Sequence, residues 1–284
     1  MDIDSKLDRM RLLACAALLM AGAAQAGTIA LDPLLPGQYA QGDGVDGRFL
    51  KVSDAWHDSS VLWNETTGQF GSGVPVGSLD WGSGLWGIAD WQTANLNPPP
   101  GMVQSVLLTH VGQISFGDAR YNADYAASWG AVSLAPLFTG PGAPATQDNW
   151  TTHFSGYIRI VDAGVYNFSV LHDDGFFFTL GGAGGETLAL ADDYLNPRER
   201  IGFAENLELQ PGLYSFELGA YDRLEAGVVE LSWSVGGGDW AVVPTPNLVA
   251  DPMPVPEPAS AALLAAGMLA LAGLARLRAR PERG

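Results

Sequence analysis

The stretch from Phe154 to Gly182, FSGYIRIVDAGVYNFSVLHDDGFFFTLGG, decides the fold. Tyr166, Phe168 and Val170 alternate with Asn167 and Ser169, the period of two that a half-buried strand needs. Asp162-Ala163-Gly164 is a short turn, and it predicts a hairpin between residues 154–161 and 165–171. The same pattern recurs downstream. Tyr214, Phe216 and Leu218 alternate with Ser215 and Glu217 after the turn Gln210-Pro211-Gly212. Val229, Leu231, Trp233 and Val235 alternate with Glu230, Ser232 and Ser234. Residues 102–108 and 112–116 add strands, and residues 27–100 are Gly-rich with poorer alternation. With no long amphipathic helical stripe and no internal repeat, the economical reading is an all-β fold, an antiparallel β-sandwich.

Composition bounds the rest. The chain has 284 residues, 47% of them hydrophobic and only 16% charged, with 36 Gly and 9 Trp, which excludes a disordered acidic tail or a coiled coil. Between residues 27 and 253, 7 basic residues face 26 acidic ones. Such a surface repels phosphate backbones and excludes a nucleic-acid partner, while divalent cations and neutral glycans remain compatible.

Both ends read as addresses. Lys6, Arg9 and Arg11 precede the apolar run Leu12 to Ala24, and Ala24-Gln25-Ala26 is the small-x-small pattern that signal peptidase accepts, so residues 1–26 are expected to be a cleaved export signal. Cys15 is the single cysteine, so the exported domain holds none. At the other end come Pro256, Glu257 and Pro258, then an uncharged run 259–275, then Arg276, Arg278, Arg280 and Arg283. Seventeen residues at helical rise reach about 26 Å, enough to span a bilayer's hydrocarbon with the Arg cluster held on the cytoplasmic side. This order resembles the C-terminal sorting signal of the PEP-CTERM proteins. The resemblance implies processing of residues 255–284 by an exosortase, a membrane-anchored precursor, and delivery to the cell surface or the extracellular polysaccharide of a biofilm. Between the addresses, composition divides the chain into an N-terminal β-rich region (27–111) packed with the sandwich, the sandwich itself (112–243), and a Pro-rich linker (244–254).

A second resemblance rests on Phe154-Ser155-Gly156-Tyr157-Ile158, Gly164-Val165-Tyr166-Asn167-Phe168-Ser169, Asp173-Asp174-Gly175 and Phe178-Thr179-Leu180-Gly181-Gly182, with the later Leu207 to Tyr214 and Val229 to Trp233. These segments are similar to the core of the PA14 domain. That resemblance implies a β-sandwich and a place among carbohydrate-binding adhesin modules and domains inserted in glycosidases. It also implies that Asp173 and Asp174 hold a calcium ion that coordinates sugar hydroxyls. Where the family often has Ile-Asp-Gly, this chain has Leu180-Gly181-Gly182.

Read from the residues themselves, adjacent carboxylates at a strand end are costly unless hydrogen-bonded or metal-bound, and an Asp-Asp-Gly turn also arises simply because Asp oxygens accept backbone N–H bonds. The loop Asp192-Asp193-Tyr194-Leu195-Asn196 offers oxygens and an aromatic, Tyr194 and Asn196 being the sugar-contacting candidates, or is a solvated loop. Gly42 to Gly47 reads as a Gly/Asp turn rather than one copy of a calcium-binding repeat. Trp81, Trp86 and Trp91 could form a sugar platform, but tryptophans are more often buried in a core. No catalytic residue emerges: there is no Gly-x-Ser-x-Gly elbow and no His-Glu-x-x-His, and His57, His110, His153 and His172 are not at metal-ligand spacing. The sequence therefore points to a non-enzymatic surface protein, either a calcium-assisted glycan binder or a structural matrix component with no small ligand. A glycosidase-associated module ranks third.

Overall fold

The computed structural model describes residues 29–56, 63–64, 69–70, 83–117, 132–133, 148–193, 195, 199–224 and 227–253. Residues 1–26, expected to be an export signal, the 255–284 tail with its apolar run, Tyr194, Asn196, His57 and Trp81 lie outside the described residues. Among the described residues no helix is long and apolar enough to cross a membrane.

In chain order the strands are β1 (Ala30–Leu31), β2 (Leu35–Pro36), β3 (Val45–Val52), β4 (Trp63–Asn64) and β5 (Gln69–Phe70). The helix α1 (Ile88–Leu96) follows, then β6 (Val103–Val111), β7 (Ser115–Gly117), β8 (Val132–Ser133), β9 (Trp150–Ile160) and β10 (Gly164–Asp173). The chain continues through β11 (Gly175–Gly181), β12 (Thr187–Asp192), β13 (Glu199–Leu209), β14 (Gly212–Asp222), β15 (Val228–Val235), β16 (Ala241–Val242) and β17 (Leu248–Val249). The first sheet runs β1-β13-β10-β15-β7-β8, with β16 beside β15. The second runs β12-β11-β14-β9-β3-β6, with β17 beside β9 and β2 beside β14. Pairing is antiparallel except for β1 with β13 and β7 with β8. Strands β3 and β6, from the N-terminal region, complete the second sheet.

The two sheets pack face to face as the alternation requires. Phe49 of β3 meets Phe116 of β7 with ring centroids 5.0 Å apart, and Phe168 of β10 meets Phe178 of β11 at 5.7 Å. Tyr214, Phe216 and Leu218 point into the same core, whereas Ser215 and Glu217 face outward.

The hairpin expected between residues 154–161 and 165–171 does not form. Strand β9 pairs with β14 and β3 in the second sheet, and β10 pairs with β13 and β15 in the first. Three extended residues reach about 10 Å, which is also the spacing of packed sheets, so the short link crosses the sandwich instead of folding back. Alternation fixes that each run has an inner face; it does not choose the strand beside it.

Helix α1 and the segment before it cover part of the second sheet's outer face. Trp91, Ala94 and Leu85 form a second apolar cluster with Leu50, Val52, Met102 and Tyr221. Trp91 stands edge-on to Phe177 at 4.6 Å and donates its indole N–H to the Thr152 carbonyl at 2.8 Å. A Cβ on Gly219 would sit 2.2 Å from the Phe177 ring, so the missing side chain is what lets the aromatic pair lie on the sheet.

Residues 244–253, expected to be a linker, are instead packed against the domain. Leu248 and Val249 are buried and pair with Ile158 and Tyr157 of β9, beyond the point where β3 begins. The backbone groups of β9 need partners there, and two non-proline residues between prolines supply them. Leu248→Ala is expected to lower unfolding stability by about 3 kcal/mol in urea denaturation, where the same change in a solvated linker would register close to zero.

Tyr214 ties the start of the chain to the β13–β14 turn. Its hydroxyl accepts from Gln210 N–H at 2.9 Å and lies 3.0 Å from the carbonyls of Leu31 and Gln210, to one of which it donates. Burial pushes this phenol up to about 12. A raised folded-state pKa favours the neutral form, so the stabilisation is whole below a pH of about 10 and is lost as pH rises toward about 12. Tyr214→Phe should lose about 1–3 kcal/mol at neutral pH, and the wild type's advantage over it should shrink across that alkaline window in urea titrations.

Candidate functional site

The Asp173–Asp174 pair sits where the chain crosses from β10 in the first sheet to β11 in the second, and the two residues are joined by a cis peptide bond. The crossing is tied down on several sides. The His172 Nδ1–H donates to the Asp174 carbonyl at 2.7 Å, and the His172 ring lies 4.6 Å from that of Phe176. Asp174 N–H donates to the Tyr221 carbonyl at 2.9 Å, and the Asp174 carboxylate accepts from Arg223 N–H at 2.7 Å. Gly175 follows because a Cβ there would fall 2.3 Å from the Tyr221 hydroxyl. Asp174 is thereby buried while Asp173 is half-buried.

Around the pair, three further segments converge. Arg223 donates through Nε to the Ser83 carbonyl at 2.9 Å and lies 4.5 Å over the Trp86 ring. Asp192 approaches the other His172 nitrogen at 3.6 Å. Asp193 accepts from Ile88 N–H at 2.6 Å and from the Tyr221 hydroxyl at 3.0 Å, so it caps helix α1 from a distant loop. Deeper in the same end, Lys51 is fully buried and bonded to Asp54, with the Asp148 and Asp222 carboxylates nearby. Burial pushes the Lys51 ammonium down, against the pull of those acids. The end of the sandwich is thus a rim of carboxylates over a buried layer of paired charge.

Asp173 and Asp174 fit a hard cation in kind, being oxygen donors on a fixed turn. Calcium takes 6–8 oxygens, among which backbone carbonyls and water count beside carboxylates. One Asp174 oxygen is already engaged by Arg223 N–H, and among the described residues no three His, Cys, Asp or Glu side chains are grouped for a metal ion.

The other sequence candidates sort by burial. Trp86 and Trp91 lie in the interior rather than on a sugar platform. Gly42 to Gly47 leads into β3 against the 246–248 segment, with Gly42 N–H bonded to the Pro246 carbonyl at 3.0 Å. Lys51, Asp222 and Arg223 are not singled out by the sequence; the one signal for the latter two is a pair of charges closing the alternation of β14, and Lys51 in β3 has none. His110 and His153, far apart in the chain and not at metal-ligand spacing, both stand on the outer face of the second sheet, one bonded to Asp46 at 3.0 Å and the other to Glu217 at 2.9 Å.

PA14 domains are among the solved structures this chain is similar to. The PA14 domain of the MpAFP antifreeze protein shares 18% identity over 77% of this chain and 95% of that one, with a TM-score of 0.45. The PA14 sugar-binding domain of an RTX adhesin shares 12% over 75% and 99%, with a TM-score of 0.41. The epithelial adhesin 6 A domain of Candida glabrata, solved with Galb1-3GlcNAc, shares 16% over 81% and 99%, with a TM-score of 0.46. Likeness at this level assigns neither ligand nor site to this chain. No family profile and no curated protein matches the sequence.

Asp193 provides a test of how the rim is built. Asp193→Ala removes the acceptor and the charge at the start of α1 and should cost about 1–2 kcal/mol, with Asp193→Asn recovering part of it, as read by urea unfolding and by proteolysis within residues 83–97.

Proposed function

We propose that the protein is an exported component of the cell surface or extracellular matrix whose β-sandwich binds carbohydrate at the rim around Asp173 and Asp174, with calcium as the bridging ion. The observation that carries this reading is the fixed crossing itself: two adjacent carboxylates on a turn whose Asp174 is held by His172, Tyr221 and Arg223, at the end of the sandwich where Asp192 and Asp193 also come in. Bound there, calcium would supply a hard positive charge able to take sugar hydroxyl oxygens as ligands, with Asp173 and Asp174 as its carboxylates. Tyr194 and Asn196 would contact the sugar. Export and surface delivery rest on the signal at residues 1–26 and on the order Pro256-Glu257-Pro258, apolar run and Arg cluster, with signal peptidase and an exosortase as the processing partners. The reading involves no catalytic step.

A second reading, a matrix protein with no small ligand, is favoured by the lack of a third grouped metal donor among the described residues. Melting curves in calcium and in chelator separate the two. At 100 times its dissociation constant, an ion bound only by the folded state adds about 2.7 kcal/mol. The binder reading expects that rise in the wild type and its loss in Asp173→Asn/Asp174→Asn, which keeps an acceptor for Arg223 N–H. Equal melting of both proteins under both conditions would sink calcium assistance and leave the structural reading standing.

A further inference from the structure

We propose that the part of the second sheet's outer face left open by helix α1 is a binding trough for an extended glycan chain that carries free hydroxyls and no acidic groups. This site is separate from the Asp173–Asp174 rim and does not depend on it.

Strand register lines up one row of polar side chains across five strands. His110 of β6 stands opposite Asp46 of β3, Asp46 opposite Ser155 of β9, Ser155 opposite Glu217 of β14, and Glu217 opposite Thr179 of β11. Four inter-strand steps make the row about 19 Å long. Three cavities follow it end to end. One of about 440 Å³ is lined by Asp46, Arg48, His110, His153 and Ser155 among others. It shares Asp46 and His110 with a neighbour of about 410 Å³ that reaches Asp251, and His153 and Ser155 with another of about 410 Å³ that reaches Thr187. The result is one continuous depression running across the strands. On one side of it lies helix α1, whose buried Trp91 ring stands edge-on 5.2 Å from that of His153.

The donors and acceptors in it are already set. His153 Nε2 lies 2.9 Å from a Glu217 oxygen, His110 Nδ1 lies 3.0 Å from an Asp46 oxygen, and Arg48 is anchored to the Asn95 carbonyl at 2.9 Å. The His153 and Glu217 side chains remain 25% and 47% exposed, so each keeps hydrogen-bonding capacity toward the trough. A hydroxyl both donates and accepts, and a run of them matches this alternation of imidazole, carboxylate and alcohol groups.

Other occupants fit less well. The backbones of β3, β9, β14 and β11 are paired on both sides, so a peptide cannot add as a strand along the floor. Asp43, Asp46, Glu217 and Asp251 outnumber the cations of the trough and repel an acidic polymer.

A glycan array carrying neutral, amino-bearing and acidic oligosaccharides, probed with the whole exported chain, tests this. Hits are expected among the neutral and amino-bearing chains. Glu217→Ala should weaken them about tenfold. Ser155→Tyr, which fills the trough at an exposed position without removing a buried contact, should abolish them while the melting temperature stays near wild type. Should Ser155→Tyr fail to fold, Glu217→Ala decides alone. Binding at the trough should persist in Asp173→Asn/Asp174→Asn and in chelator, which separates it from binding at the rim. The proposal is overturned by an empty array, by hits confined to acidic chains, or by hits that survive both trough variants and vanish in the Asp double variant.

Discussion

Phe168 and Phe178 face each other across the sandwich, and they stand on the strands immediately before and after Asp173–Asp174. Burying both rings in one core requires the chain to leave the first sheet and enter the second within that short connection. The position of the carboxylate pair is therefore a consequence of apolar packing. Phe178 also lies 6.5 Å from Phe216, which ties the crossing to β14 and brings Tyr221 and Arg223 to the place where they hold Asp174. The hydrophobic contact sets the path, and the polar bonds then fix the turn at its end.

The second sheet's outer face is divided by the same economy. Over Leu50, Val52 and Phe177 the sheet is apolar, and α1 with Trp91 covers it. Beyond that point, the outward residues include Arg48, Asp46, Ser155 and Glu217, polar groups that solvent can satisfy, beside the exposed Leu108 of β6. The boundary falls at His153, whose ring touches Trp91 on one side and whose Nε2 bonds Glu217 on the other. The buried charges of Asp148, Asp174 and Asp222 thus gather at one end of the sandwich with Lys51 and Arg223, while Asp46 and Glu217 are displayed on the open part of the face.

Much of this was legible before any coordinates. Alternation in residues 165–171, 213–220 and 228–235 gave strands with the correct inner faces, and Tyr214, Phe216, Leu218, Val229 and Leu231 are all in the core. Burial of Trp86 and Trp91 followed from their size. The polarity of the outer positions was less legible: Ser169, Glu230 and Ser232 alternate as if solvated but are buried, Glu230 accepting from Ser115 and Ser232 at 3.1 Å each. The Pro-rich stretch 244–253 misled for a similar reason, since proline density excludes a central strand but not a two-residue strand that completes β9.

The sequence by itself determined the class of fold, its inner faces, the turn residues and the acidic character, because each depends on the residue type and on the period of a single strand. Only the tertiary structure decided which strands are neighbours, that Asp162–Gly164 crosses the sandwich instead of closing a hairpin, that Arg223 and Lys51 underlie the Asp173–Asp174 rim, and that His110, Asp46, Ser155, Glu217 and Thr179 fall in one row. Those facts depend on register between segments far apart in the chain, and register is set by the joint burial of two apolar faces, which no single segment encodes.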